Sequence, residues 1–264
     1  MYSVKYQKAD SVNAAVAALD AQSEARVLAG GQTLLPTMKQ HLAAPALLVD
    51  IRGIPGLTGV RVAGDMLEIG AATTHAEVAG SADVARHCPA LAALAGGIGD
   101  PAVRHAGTIG GSLANNDPAA DYPAAALALG ATIVTSKRQI AADDFFAGMF
   151  ATALEEDEII TSVRVPAVAR SGYAKFAQPA SRFAMVGVFV AQGAQGVRVA
   201  VTGAGDDGVY RHAGLEAALT GDWSAAAAAG ADNDSRGLLS DIHGDAEYRA
   251  NLVLVMAKRA VAAS

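Results

Sequence analysis

"GDPAVRHAGTIGGSLANNDPAADYPAAALALGA", residues 99–131, crowds Gly107, Gly110 and Gly111 around Thr108 and Ser112, then sets Asp121 just before a proline-containing helix start. Glycine tolerates positive φ and lets a second backbone come close, and a helix that begins just after it turns unpaired N–H groups outward. That geometry suits an anion. Asn115, Asn116 and Asp117 follow, polar groups suited to ribose and phosphate hydroxyls. Upstream, "AGGQTLLPTMK", residues 29–39, places Gly30 and Gly31 between an apolar run and another helix start. Taken singly, either stretch reads equally as a turn that binds nothing. Taken as a pair, one in each of two adjacent subdomains, they have the layout of a clamp on a long phosphate-bearing ligand. A dinucleotide has that length.

The chain around these two turns reads as mixed α and β structure. "SVKYQ" alternates as a strand, "DSVNAAVAALDAQ" sets Val12, Ala15, Val16 and Leu19 at helical spacing behind Asp10 or Ser11, and "ARVLAG" is a buried strand. "TLLPTMKQ" is a short helix with Pro36 in its first turn, and "ALLVDI" a further strand, giving β-α-β-α-β over residues 1–54. From residue 55 to 176 the texture changes. "GVRVAGDMLEIGA" predicts a hairpin around Gly64-Asp65, and "TTHAEV" a capping box of Thr74 and Glu77. An alanine-rich helix is predicted near 84–95, a helix-to-strand passage in "ALALGATIVTS", and a strand in "DEIITSVRVP". A third unit, 177–264, begins with the hairpin "MVGVFVAQGAQGVRVAVTGAG" and ends in alanine-rich helices; "WSAAAAAGADND" reads as a helix end plus a surface loop.

Composition narrows the function. A net charge of −6 without a dense Lys/Arg block argues against nucleic acid or an anionic membrane as partner. No apolar run approaches the roughly 18 to 20 residues that span a bilayer, and "MYSVKYQKAD" lacks the apolar centre of a secretory signal, so a cytoplasmic protein is expected. Cys88 is the only cysteine, which leaves this chain without an internal disulfide or a cysteine-held iron–sulfur or zinc site; a buried small residue is its simplest reading.

Catalytic patterns are scarce. The six histidines form no His-Glu-x-x-His pair, and neither a Gly-x-Ser-x-Gly elbow nor a phosphate-loop Gly-Lys-Ser/Thr occurs. His75 reads as first-turn residue of the capped helix, and the acids at 143–144 and 155–158 as solvated turns. A nicotinamide-binding Rossmann site is the competitor, because Asp50 closes a strand about twenty residues after Gly30, the usual spacing for a ribose-binding acid. Its fingerprint fails: "AGGQTLL" lacks the third glycine, and no long parallel series follows.

"AGGQTLLP", "GAATTHAEV", "GDPAVRHAGTIGGSLANNDPAADYPAA" and "DEIITSVRVP" occur in an order that resembles the FAD-binding medium subunits of molybdenum hydroxylases, the carbon monoxide dehydrogenase and xanthine dehydrogenase family. The resemblance runs over essentially the whole chain. It implies an α+β protein with the two-subdomain FAD-binding fold of the vanillyl-alcohol oxidase type, followed by a C-terminal domain of antiparallel sheet and helices. Ala29, Gly30, Gly31, Gln32, Thr33, Leu34, Leu35 and Pro36 match the first pyrophosphate loop; Thr108, Ile109, Gly110, Gly111 and Ser112 match the second. Asp121 matches an acid that meets the nucleotide portion of FAD, and family flavin contacts fall at Ile98, Ile160 and Gln178. Relatives often carry a basic residue at this last position. Phe183, within "ASRFA", stands where many relatives place Gly-Asp-Tyr beside the flavin ring, and Ser181-Arg182 departs from that pattern.

The resemblance further implies a division of labour. A large subunit with molybdopterin hydroxylates the substrate, a small subunit with two [2Fe–2S] clusters passes single electrons, and FAD on this chain delivers them to an external acceptor, within a dimer of heterotrimers. No catalytic residue or metal ligand is assigned to this chain. A self-contained flavin oxidase or reductase of the same fold, and a scaffold that has lost its cofactor, are the alternatives.

Overall fold

The computed structural model describes residues 1–264. It opens with β1 (Lys5–Lys8), α1 (Val12–Asp20), β2 (Ala25–Leu28), α2 (Leu34–Lys39) and β3 (Leu47–Asp50), the β-α-β-α-β order read from the sequence. The strands make a parallel sheet in the order β1-β3-β2. Ser11 caps α1 by accepting from the Ala14 N–H, so Ala15, Ala18 and Leu19 turn inward at helical spacing. Central β3 is "LLVD", an apolar run of the kind a strand covered on both faces requires.

A hairpin of β4 (Val60–Ala63) and β5 (Met66–Gly70) follows, turning at Gly64 with φ 64°. Six helices come next: α3 (His75–Gly80), α4 (Ala82–His87), α5 (Pro89–Gly96), α6 (Pro101–Arg104), α7 (Ile109–Asn115) and α8 (Tyr122–Leu129). β6 (Thr132–Thr135), β7 (Gln139–Ala141), α9 (Ala142–Phe145) and β8 (Ile160–Pro166) complete a five-stranded antiparallel sheet ordered β4-β5-β8-β6-β7. The capping box of Thr74 and Glu77 is present in full. The single helix expected near 84–95 is instead two. Pro89 has no N–H to donate and forces Cys88 to an extended ψ of 85°, so α4 stops and α5 starts afresh. Cys88 itself is fully buried.

The last unit contains β9 (Val168–Ala177), β10 (Ala184–Gly193), β11 (Gly196–Thr202), β12 (Tyr210–Arg211), α10 (Ala213–Gly221), α11 (Ala225–Ala229) and α12 (Ala246–Ala262). Its antiparallel sheet is ordered β12-β11-β10-β9. The sheet therefore starts at Val168, ahead of the boundary expected at 177, because β9 pairs with β10 along its whole length. Both faces of β10 are covered, as its alternation dictates: Val186, Val188 and Val190 join a core with α10 and α12, while Phe189 and Ala191 join the core around α8. Every residue of α8 is buried, which fits a helix with no polar face. Arg198 on β11 donates to the Leu127 carbonyl at its C-terminal end at 2.7 and 2.9 Å.

Candidate functional site

A cleft of about 570 Å³ lies between the loop that joins β2 to α2 and the segment that joins α6 to α7, with the β9–β10 turn at its rim. The first loop leaves β2 at Ala29 and turns at Gly31, whose φ is +68°. The N–H groups of Gly30, Gly31, Gln32 and Thr33 donate to nothing within the chain, a run of four unspent donors on the cleft wall. Consecutive backbone donors of this kind make an anion-binding concavity.

The second loop is built differently. The Ile109 N–H donates to the Thr73 carbonyl, Gly110 to Ala71, Gly111 to the Thr108 hydroxyl at 3.1 Å and Ser112 to the Thr108 carbonyl. The donors of residues 109–112 are thus used in tying α7 to the strand end at β5 and in capping the helix, leaving the Thr108 N–H and the Thr108 and Ser112 hydroxyls for a ligand. Gly110 packs on Ala71, where a Cβ would lie 2.6 Å from the alanine methyl. Gly30 meets the second loop directly: a Cβ there would stand 2.2 Å from the Ala106 carbonyl oxygen. The two glycine turns touch each other, and the cleft opens beside their contact.

Of the residues singled out from sequence, Ala29, Gly30, Gly31, Gln32, Thr33, Leu34, Ile98, Thr108, Gly111, Ser112, Asp121 and Phe183 line this one cleft. Leu35 and exposed Pro36 in α2, and buried Ile109 and Gly110 in α7, fall outside the cleft lining, while Ile160 is buried in the core of the second sheet and Gln178 folds into the β9–β10 turn, its N–H on the Phe183 carbonyl at 2.9 Å. Asn115 and Asp117 reach the cleft, but Asn116 turns away, donating to the Gly148 and Ala151 carbonyls at 2.8 Å. Asp50 is far from a ribose-binding role: Arg52 and Tyr6 hold its buried carboxylate, Arg52 above all, and its pKa falls to about 2.

Asp121 is on the cleft wall, yet its carboxylate is already occupied by the Tyr173 hydroxyl and by Lys175 Nζ at 2.9 Å, both from β9. Burial pushes its pKa up against the pull of Lys175 and Tyr173. A basic group, Lys175, thus stands behind Asp121 on the cleft wall. Sequence reading missed the acidic end of the cleft, Glu155, Glu156 and Glu158. Glu158 is buried rather than solvated; burial raises its pKa, but Arg138, the Thr135 hydroxyl and the Glu155 N–H outweigh that and hold it at about 2. The signal was its place directly before a buried strand, where an acid needs partners.

The fit to a dinucleotide rests on the unspent donors and the Thr108 and Ser112 hydroxyls lining one cleft. Residues 2–168 match the model of the FAD binding domain in molybdopterin dehydrogenase. The chain belongs to that family. It is 36% identical to the nicotine 6-hydroxylase medium subunit of Paenarthrobacter nicotinovorans, over 98% of this chain and 96% of that one. It is 35% identical to the carbon monoxide dehydrogenase medium chain of Hydrogenophaga pseudoflava, with the same coverage. A solved structure of the Hydrogenophaga pseudoflava carbon monoxide dehydrogenase superposes with a TM-score of 0.89 at 37% identity, covering 99% of this chain and 97% of that one. The chain is an FAD-binding medium subunit of the molybdenum hydroxylases, an oxidoreductase subunit.

Proposed function

We propose that this medium subunit relays electrons: it receives them from [2Fe–2S] clusters on a small subunit, which are charged in turn by a molybdopterin-bearing large subunit, and hands them to an external acceptor. FAD, where bound, supplies the exchange between single electrons and an electron pair. The chain's own contribution is to bind and orient. Residues 30–33 offer backbone donors to the diphosphate, Thr108 and Ser112 offer hydroxyls from the other side, and Phe183 is the aromatic at the rim next to the ring. The division of the chain that goes with this reading is a first half-site ending near residue 54, a second carrying the Thr108 loop, and a C-terminal unit that brings Lys175 and Phe183. A dimer of heterotrimers in the cytoplasm is the assembly we propose; no helix is long and apolar enough to cross a membrane.

The observation that carries the proposal is the run of four free N–H groups on the cleft wall. Two of the acids there fit an electron relay rather than a self-contained oxidase: buried Asp121 and Glu158 are both engaged by cations, leaving neither free as a general base. The test is anaerobic. The isolated chain should take up FAD that dithionite reduces but no organic substrate does, and the flavin band should bleach on substrate addition only once cluster-bearing and molybdenum-bearing partners are present. Rapid substrate-driven bleaching of the isolated chain would make it a complete enzyme and refute the relay.

A further inference from the structure

His75 opens α3, but the capping of that helix is complete without it, through Thr74 and Glu77. Its ring is 5% exposed and lies on the cleft wall, in tilted contact with Tyr122 at 5.4 Å between centroids. Nδ1 is buried without a hydrogen-bond partner. The opposite edge of the ring faces Gly107, where a Cβ would stand only 2.6 Å from Nε2; the missing side chain of Gly107 makes room for this nitrogen beside the second loop. An apolar ring or a leucine would fill the same first-turn position without a stranded polar atom, so packing alone does not account for a histidine.

Burial, helped by the positive charge of Arg104, lowers the His75 pKa to about 4, and the imidazole is neutral at any ordinary working pH. A neutral imidazole has one N–H and one bare nitrogen. A buried unpaired N–H is tolerated less well than a buried unpaired acceptor. The proton therefore belongs on Nε2, at the ring edge beside Gly107, and the bare nitrogen at enclosed Nδ1.

We propose that His75 donates from Nε2 to an acceptor oxygen of the dinucleotide in the cleft, which makes it a neutral ligand-positioning residue and explains why Gly107 has no side chain. This rests on the reading of the cleft as the FAD site. The arrangement gives the cleft a donor that does not titrate between pH 6 and 8, in contrast to a lysine or an ordinary surface histidine.

The test compares His75→Leu and His75→Gln with wild type in the full chain, using FAD itself as probe. Flavin fluorescence gives Kd, and melting of the FAD-free protein gives intrinsic stability. His75→Leu should raise Kd about tenfold, the value of one hydrogen bond in a closed site, while the FAD-free variant melts no lower than wild type because a stranded polar atom has been removed. His75→Gln, which keeps a donor, should recover most of the affinity, and the wild-type Kd should be flat from pH 6 to 8. Unchanged Kd in His75→Leu, or a lower FAD-free melting temperature with the full stabilisation by FAD retained, would show a packing role and overturn the proposal. If His75→Leu does not fold, a folded His75→Gln chain whose Kd for FAD is raised about tenfold or more over wild type overturns the proposal, and one with a near-wild-type Kd supports it. A wild-type chain that takes up no FAD at all overturns the reading of the cleft, and this proposal with it.

Discussion

Gly30 and Gly31 are neighbours with different reasons to be glycine. Gly31 holds φ at +68°, a region that costs an ordinary residue roughly 1–2 kcal/mol and a β-branched one more. Gly30 has the Ala106 carbonyl where a side chain would be. Gly31→Val should therefore leave a folded chain whose free N–H run is disarranged, and the purified protein should have lost most of its flavin absorbance; full, tightly held FAD would contradict the cradle. Gly30→Ala should act on the contact between the loops, lowering the melting temperature with and without FAD. Both glycines were visible in the sequence, but their separate tasks were not, since the approach of residue 30 to residue 106 leaves no local pattern. The same holds for Asp121. The acid could be read, whereas its engagement by Tyr173 and Lys175 depends on a strand far downstream.

Elements tell a similar story about which signals are local. The first turn of α7 is held by the Thr108 hydroxyl accepting from Gly111, a cap legible in the sequence "GTIGGS". Thr108→Ala should cost about 1 kcal/mol of stability and weaken FAD binding together, while Thr108→Ser keeps both, as read by melting with and without FAD. The break between α4 and α5 was equally local, written in Cys88-Pro89, but the alanine-rich periodicity on either side concealed it. Glu158, by contrast, joins β8 to the β6–β7 turn through Thr135 and Arg138, contacts that no short window reveals. Its folded pKa of about 2 lies below the ordinary glutamate value of 4.5, so its contribution is present above pH 4.5 and is lost as pH falls toward 2. Melting temperature should decline over that interval, and Glu158→Gln should flatten the decline while lowering stability at pH 7 by roughly 1–3 kcal/mol.

At the scale of the molecule, the three-sheet architecture was legible because each unit has its own period: short strands alternating with helices first, an alternating hairpin with helices next, a long apolar hairpin last. What stayed hidden was the point at which one sheet yields to the next. β8 and β9 follow each other with a single intervening residue, so no loop marks the change from one sheet to the other. The contact between the loops of residues 30 and 106 joins the first and second of these units through backbone alone. A seam of backbone against backbone should hold the cleft open for FAD and leave little of the ordering cost of binding to the scaffold. Hydrogen–deuterium exchange should show this directly: adding FAD should slow the amides of residues 30–33 far more than those of α1, α12 or the sheets, and a broad slowing across the first unit would mean that the units had been free to move. The seam at Gly30 is thus a stop that fixes the gape of the jaws, so that exchange of one cofactor for a shorter or longer one is limited by a distance set by two backbones and not by side chains that selection can readily trim.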